Sequence, residues 1–207
     1  MHCPSRAIAW RCANEITFEI CNTVHPGDGC TVRFWQYGSK CCWRNISLGH
    51  YQLTFPGGVP TVNTGGSDYA LAADLTTIQI SGHGTFGGGV APTGGGTWAT
   101  SGPSGTASGT FSVIGFIRFT VAPGSLPPGF IDNIGDPANT RSGLAVLLIK
   151  YSDGSSGVLT VSCHQPVGSP SGIFEGITAT KGFVAFHERV PPVPGVDANR
   201  TLFHVAP

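Results

Sequence analysis

The chain has 207 residues, of which only 11 % are charged, and its eleven basic side chains balance its eleven acidic ones. No basic stripe is present, and aromatic residues are not interleaved with lysine or arginine, so the composition argues against nucleic-acid binding. No apolar run reaches the roughly 18 residues that a membrane-spanning helix needs. The length suits one β domain, since barrels and sandwiches of this size often form a single core.

Residues 1–57 carry six of the seven cysteines and three of the four tryptophans. None of these cysteines has the Cys-x2-Cys spacing of zinc sites, which favours disulfides or unpaired thiols over metal. The break at Pro56-Gly57-Gly58 predicts a boundary between residues 1–57, an extension or the first strands, and a β-barrel domain over 58–207. A secreted or periplasmic location is favoured, while no signal peptide is visible.

From residue 75 onward, short apolar segments bounded by Gly, Pro, Asp or Ser recur, and each predicts a β-strand. The predicted strands cover residues 75–81, 96–100, 109–121, 143–151, 157–164, 173–178, 182–187 and 201–205. No helical pattern occurs. The sequence therefore predicts an all-β fold, a single antiparallel β-barrel of about eight strands, with a jelly-roll or cupin-like sandwich as the alternative.

Glycine-rich segments interrupt this pattern at residues 82–89 and 94–96. They lack the Gly-Lys-Ser/Thr ending of a phosphate-binding loop, and no helix is predicted after them, so they are interpreted as barrel corners. The pair Asp153-Gly154 separates two predicted strands and predicts a tight hairpin, because this dipeptide readily adopts positive φ angles. In the second of these strands, Cys163 falls on the same face as Leu159 and Val161, which predicts a buried, inert thiol.

The segment Ser171-Gly172-Ile173-Phe174-Glu175-Gly176, followed by Gly182-Phe183-Val184-Ala185-Phe186, forms a glycine-cornered strand pair. It resembles the closing strands of the allene oxide cyclase and dirigent barrels, in which a Gly-Ser-Gly-Ile-Phe-Glu-Gly string occupies a similar place. The resemblance covers about a tenth of the chain and implies a barrel with an apolar cavity. The catalytic residues of that family lie outside the matched segment and are not transferred.

Phenylalanine is abundant in the predicted strands, and a barrel of about eight strands either fills its interior with such side chains or holds one apolar ligand. Phe116, Phe174 and Phe183 are the predicted ligand-binding residues. With so little charge in the chain, we expect a small apolar ligand, fatty-acid-derived or terpenoid-like, inside the barrel or at its mouth.

The densest group of oxygen ligands lies in Asp132-Asn133-Ile134-Gly135-Asp136-Pro137-Ala138-Asn139. Calcium and similar hard cations take six to eight oxygens, so Asp132, Asp136 and Asn139 are candidate ligands of a divalent cation. Asx turns between two strands are the favoured interpretation of the same residues. The sequence leaves both interpretations open.

Histidines 164, 187 and 204 each lie near the end of a predicted strand, where a barrel mouth would be. His164 and His187 are candidate general bases. Glu175 is a third catalytic candidate, because an inward side chain would be a buried acid with a raised pKa, whereas an outward one would be solvated. These residues support an alternative function, a metal-assisted hydrolase of an acylated ester or lactone. A conventional α/β-hydrolase is excluded, since no Gly-x-Ser-x-Gly elbow occurs.

Overall fold

The computed structural model describes residues 46–190 and 199–206, and this part of the chain is built almost entirely from β-strands. The strands are β1 (Ile46–Thr54), β2 (Thr61–Thr64), β3 (Asp68–Ala72), β4 (Thr77–Phe86), β5 (Thr93–Ser101), β6 (Ala107–Ala122), β7 (Ile131–Asp132), β8 (Thr140–Tyr151), β9 (Ser156–Cys163), β10 (Gly176–Lys181), β11 (Val184–Arg189) and β12 (Thr201–Val205). Two 3-10 turns, Pro56–Gly58 and Pro137–Asn139, are the only helical elements in these ranges. The all-β prediction is confirmed, and none of the described helical elements is long or apolar enough to cross a membrane.

Eight of the strands form a closed ring in which all neighbours are antiparallel. Strand β3 pairs with β4, β4 with β5, β5 with β6, β6 with β8, β8 with β9, β9 with β10, and β10 with β11. The ring closes where β11 returns to β3, with Phe186 opposite Ala72 and a β-bulge beyond it. This barrel-like sheet confirms the predicted architecture, although the ring contains β3, which the sequence did not predict as a strand, in place of β12.

Strands β1 and β12 pair with each other and join the ring at two of its strands. Strand β1 also pairs with β4, where Ile46 lies opposite Phe86. Strand β12 also pairs with β8, where Phe203 lies opposite Arg141. The break at Pro56–Gly58 is a turn between β1 and β2, which are antiparallel neighbours in the sheet. The described residues before that break therefore supply a strand to the main domain, and residues 1–45, with the six N-terminal cysteines, lie outside the described residues.

Two hydrophobic cores lie on opposite sides of this sheet. The larger core fills the ring with residues such as Ile80, Phe86, Ile149 and Phe203. It also contains Leu159, Val161 and Cys163, which confirms the predicted buried face of β9. The smaller core, on the outer side of β1 and β12, consists of Tyr51, Val62, Leu126 and Leu202 with Leu53, Phe130 and Ile134 packed against it.

The glycine-rich segments lie mainly within β4 and β5, and residues 87–89 form the turn that joins these strands. Gly82 stands opposite Gly96, and Gly84 stands opposite Gly94. The two backbones approach so closely here that a Cβ on Gly96 would lie 1.9 Å from the carbonyl oxygen of Ser81. The strand glycines in 82–86 and 94–96 therefore make room for a neighbouring backbone, while Gly87, Gly88 and Gly89 turn the chain between β4 and β5 with positive φ angles.

The hairpin between β8 and β9 is confirmed, with Lys150 opposite Ser156. Of the two turn residues, Gly154 has the positive φ, at 90°. Asp153 acts through its side chain, whose Oδ1 accepts the backbone N–H of Ser155 at 3.0 Å. Asp153 is therefore an Asx-turn residue, and only the glycine supplies the left-handed backbone.

Candidate functional site

A cavity of about 280 Å³ opens at one end of the ring, and we call it the mouth. It lies where four connections meet, because strands of alternating direction bring every second turn to the same end. The residues that line it are Thr76, Thr100, Ser104, Gly105, Thr106, Ala107, Ser155, Lys181, Gly182, Phe183, Val184 and Phe186. The mouth is thus formed by loops on a rigid sheet, a common setting for ligand sites.

Phe183 is the most unusual residue of the mouth. It lies at the tip of the β10–β11 hairpin, directly after Gly182, whose φ is 58°, and its side chain is fully exposed. Phe186, three positions further along in β11, is buried and also lines the cavity. Concave surfaces with aromatic lining residues are the usual setting of ligand sites, so the mouth with Phe183 is the candidate site.

Lys181 provides a fixed positive charge at the same place. Its Nζ lies 4.3 Å from the centre of the Trp98 ring and 5.3 Å from that of Tyr151, both cation–π contacts. It also pairs with the carboxylate of Asp153, and the hydrogen bond from Lys181 holds the pKa of that carboxyl well below its usual range. The lysine stem is mostly buried, so its ammonium group is held at the wall of the mouth.

The second large concave surface, of about 420 Å³, lies on the outer face of β1 and β4, and we call it the outer groove. Small and hydroxyl-bearing residues dominate it, together with histidines. Its lining residues are Ser47, Leu48, Gly49, His50, Thr64, Gly65, Ser81, Gly82, His83, Gly84, Thr85, Thr93, Gly94, Ile134 and His204. Along β4, the groove and the mouth are about 25 Å apart, at roughly 3.3 Å per residue.

The predicted cation ligands form hydrogen-bonded turns. Asp132 Oδ1 accepts the backbone N–H groups of Ile134 and Gly135 at 3.0 and 3.1 Å, and its Oδ2 lies 2.7 Å from His204 Nε2. Asp136 accepts the N–H of Ala138 at 2.9 Å and caps the 3-10 turn that contains Asn139. This geometry matches the Asx-turn interpretation.

Within residues 46–190 and 199–206, no group of three or more His, Cys, Asp or Glu side chains is arranged to hold a metal ion. The divalent-cation site at Asp132, Asp136 and Asn139 stays a prediction.

The two predicted histidine bases lie apart from both cavities. His164 follows β9 and is half-buried, and His187 is exposed on β11. Neither histidine lines the mouth or the outer groove. His164 contacts another predicted residue only through its backbone. Its N–H donates a hydrogen bond to the Glu175 carboxylate at 2.5 Å.

The Glu175 side chain lies where three strand ends meet: the end of β9, the start of β10 and the start of β12. Besides the N–H of His164, its carboxylate accepts the N–H of Thr201 at 2.5 Å and the hydroxyl of Thr201 at 3.2 Å. Its pKa is raised to about 8, mainly by burial; the hydrogen bonds from Thr201 and His164 lower the pKa and the nearby Asp68 raises it. The chain is irregular around Glu175, and β10 begins at Gly176 rather than at the predicted residue 173.

The stability of the fold should fall as the pH rises from about 5 to about 8.5. The folded-state pKa of Glu175, about 8, lies above its ordinary value of 4.5, so the folded protein binds the extra proton between these values. The contribution is complete below the ordinary pKa and is lost as the pH rises through 8. Burial raises the pKa of Asp68 as well, in the same direction.

Thermal melting measured by fluorimetry at half-unit pH steps tests this expectation. The Glu175→Gln variant, which cannot titrate, should show a shallower dependence than the original chain. Identical slopes for the two proteins would mean that Glu175 is ionised throughout the folded state.

The three predicted ligand-binding phenylalanines do not meet in one cavity. Phe183 lines the mouth. Phe116 stacks on Phe86 with ring centres 4.9 Å apart, and Phe174 lies under Arg189, whose guanidinium carbon is 5.1 Å from the ring centre. Only Phe183 therefore combines exposure with a sizeable cavity.

Sequence reasoning missed several polar residues that the fold places in or near the two cavities. Lys181 gave one usable signal, since it is a charged residue beside a hairpin glycine in a chain with few charges. His50 gave none: its Nδ1 lies 2.8 Å from the carbonyl oxygen and 3.0 Å from the nitrogen of Gly82, and its Nε2 lies 3.7 Å from buried Asp68. That contact depends on the pairing of β1 with β4.

No protein-family model matches the chain, and neither a curated protein nor a solved structure gives a match. The resemblance of residues 171–186 to the allene oxide cyclase and dirigent barrels accordingly stays a prediction.

Proposed function

We propose that the protein binds a small, largely apolar molecule, fatty-acid-derived or terpenoid-like, at the mouth of the ring. The observation that carries the proposal is the fully exposed Phe183 ring beside a cavity of about 280 Å³. Ligand sites in proteins occupy clefts of roughly 300–1,000 Å³, so the mouth suits a compact ligand or one end of a longer one. Phe183, Val184 and Ala107 provide apolar contacts.

The interior of the ring is a poorer location for the ligand. Its cavity, which Leu48, Phe111 and Leu147 help to line, measures only about 20 Å³. That volume holds about one water molecule. Since close-packed interiors admit extra atoms only at a cost in stability, a ligand of ten or more carbon atoms would have to displace core side chains.

Lys181 suggests that the ligand carries an oxygen function. Its ammonium group has three donors, and Asp153 and the faces of Trp98 and Tyr151 leave capacity for one more acceptor. A carbonyl or carboxylate oxygen of the ligand is the matching group. The apolar body would then lie against Phe183, with the oxygen near Lys181.

Titration with an environment-sensitive apolar dye such as 1-anilinonaphthalene-8-sulfonate tests the proposal. We expect saturable binding at one site, displaced by a medium-chain fatty acid. Phe183→Ala should weaken this binding about tenfold or more, because burying an aromatic side chain is worth about 1.5–3 kcal/mol.

The matched control is Phe55→Ala, which removes another exposed phenylalanine, 59 % accessible, outside the mouth. This variant should bind like the original chain. Binding that does not saturate, or that both variants weaken equally, would contradict a site at the mouth.

A further inference from the structure

The outer groove brings a serine, a histidine and an aspartate together from three separate segments. Ser47 in β1 stands directly opposite His204 in β12, and on its other side directly opposite Thr85 in β4. Residues directly opposite each other in a sheet point to the same face, with Cβ atoms about 4.5–5.5 Å apart. Ser47, Thr85 and His204 therefore lie side by side along the groove, and all three line it.

Asp132 holds His204 in a fixed orientation. The distance from Oδ2 to Nε2 is 2.7 Å, and the Asp132 side chain has no exposure to solvent. Its other oxygen is fixed by the backbone N–H groups of Ile134 and Gly135. Gly135 allows this loop to lie on the imidazole, since a Cβ there would come within 2.3 Å of Nε2.

This arrangement decides which ring nitrogen is free. A carboxylate only accepts hydrogen bonds, so the proton between Asp132 and His204 resides on Nε2, and Nδ1 carries the lone pair. Nδ1 is only two bonds from Cβ, which suits contact with a direct cross-strand neighbour. That neighbour is Ser47, whose hydroxyl makes no hydrogen bond to any described residue, His204 included, so Oγ reaches Nδ1 through a change of side-chain rotamer when the substrate binds.

We propose that Ser47, His204 and Asp132 form a catalytic triad that hydrolyses small, neutral carboxylic esters. The substrate class follows from the described residues that line the groove, among which there is no lysine or arginine to neutralise a phosphate. Gly49, two positions after Ser47 in β1, leaves the backbone bare, since an added Cβ there would meet only His83 Cβ at 3.8 Å, so a flat acyl group can approach it closely. The inference is independent of ligand binding at the mouth, about 25 Å away along β4 at 3.3 Å per residue.

The reaction needs no co-reactant besides water. The hydroxyl proton of Ser47 passes to His204 Nδ1 while Oγ bonds to the ester carbonyl carbon. The carbon–oxygen bond to the alcohol then breaks, and the leaving alkoxide takes the proton from Nδ1. Water attacks the acyl-serine and gives its proton to Nδ1, the acid departs, and the proton returns to Ser47 Oγ. Asp132 stabilises the imidazolium that forms in both halves.

A fluorophosphonate probe tests the triad, because it bonds covalently only to an activated serine. The full chain is incubated with the probe, and the labelled peptide is identified by mass spectrometry. Hydrolysis of 4-nitrophenyl acetate is followed in parallel. We expect a single label on Ser47, no label in Ser47→Ala, and a hydrolysis rate lower by about 100-fold or more in Ser47→Ala and Asp132→Asn.

Ser112→Ala is the matched control, since Ser112 is an exposed strand serine in β6, outside the groove. It should label and hydrolyse like the original chain. The inference is overturned by a folded protein that takes no label or takes it elsewhere. Hydrolysis that depends on His204 but survives Ser47→Ala would also overturn it, because water would then be the nucleophile.

Discussion

Gly96→Ala is expected to lower the free energy of unfolding by about 3 kcal/mol, near the upper end of what overpacking costs. The added Cβ would lie 1.9 Å from the carbonyl oxygen of Ser81 and 2.6 Å from Gly82 Cα. Both contacts are backbone atoms of β4, so neither can move aside by a change of rotamer. The β4–β5 ladder itself would have to open.

Urea denaturation of the two proteins measures this change, and the melting temperature should fall by about 6–12 °C. The matched control is Gly172→Ala, at a position where a Cβ would meet nothing within 4 Å. That variant should be as stable as the original chain. Equal stability of the Gly96 and Gly172 variants would mean that β4 and β5 lie further apart than described.

Glu175→Ala is expected to have an effect of similar size, about 3 kcal/mol, for a different reason. The substitution removes the acceptor for the backbone N–H groups of His164 and Thr201. A buried donor that loses its partner costs about 1–3 kcal/mol. Removal of the buried carboxyl group is itself favourable, and this gain offsets part of the combined cost of the two unpaired N–H groups.

Glu188→Ala provides the control for this substitution, because Glu188 is the exposed glutamate of β11. Surface changes of this kind usually stay within about 0.5 kcal/mol. Urea midpoints at pH 6 compare the three proteins. A Glu175 variant that unfolds at the same urea concentration as the Glu188 variant would show that the strand ends do not depend on the Glu175 carboxyl group.

The sequence predicted the regular strands well because their signals are local. Segments such as β8 and β9 are apolar runs bounded by turn residues, and Asp153-Gly154 joins them in the predicted way. Strand β3, Asp68–Ala72, was missed. It is short, it begins with an aspartate, and it is stabilised by pairing with β11, which lies far away in the sequence.

The candidate sites were less predictable, since each depends on tertiary pairing. Asp132 was predicted as a ligand of a cation, and in the structure its carboxylate contacts His204, 72 positions away. Ser47 meets His204 only through the register of β1 with β12. Periodicity within one segment carries no information on such a register, so neither contact was visible in the sequence.

The pairing of β1 with β12, the two strands that join the ring from outside, has a consequence for how the protein is made. The pairing of β1 with β12 joins His50 to Thr201, about 150 positions apart, and contacts of such separation form slowly. At about 5–20 residues per second, a ribosome needs on the order of 10 s to deliver the second partner after the first. During that interval the hydrogen-bonding groups of β1 on that side face solvent or other nascent chains. The rate of translation, as much as the native stability, therefore sets the opportunity for aggregation.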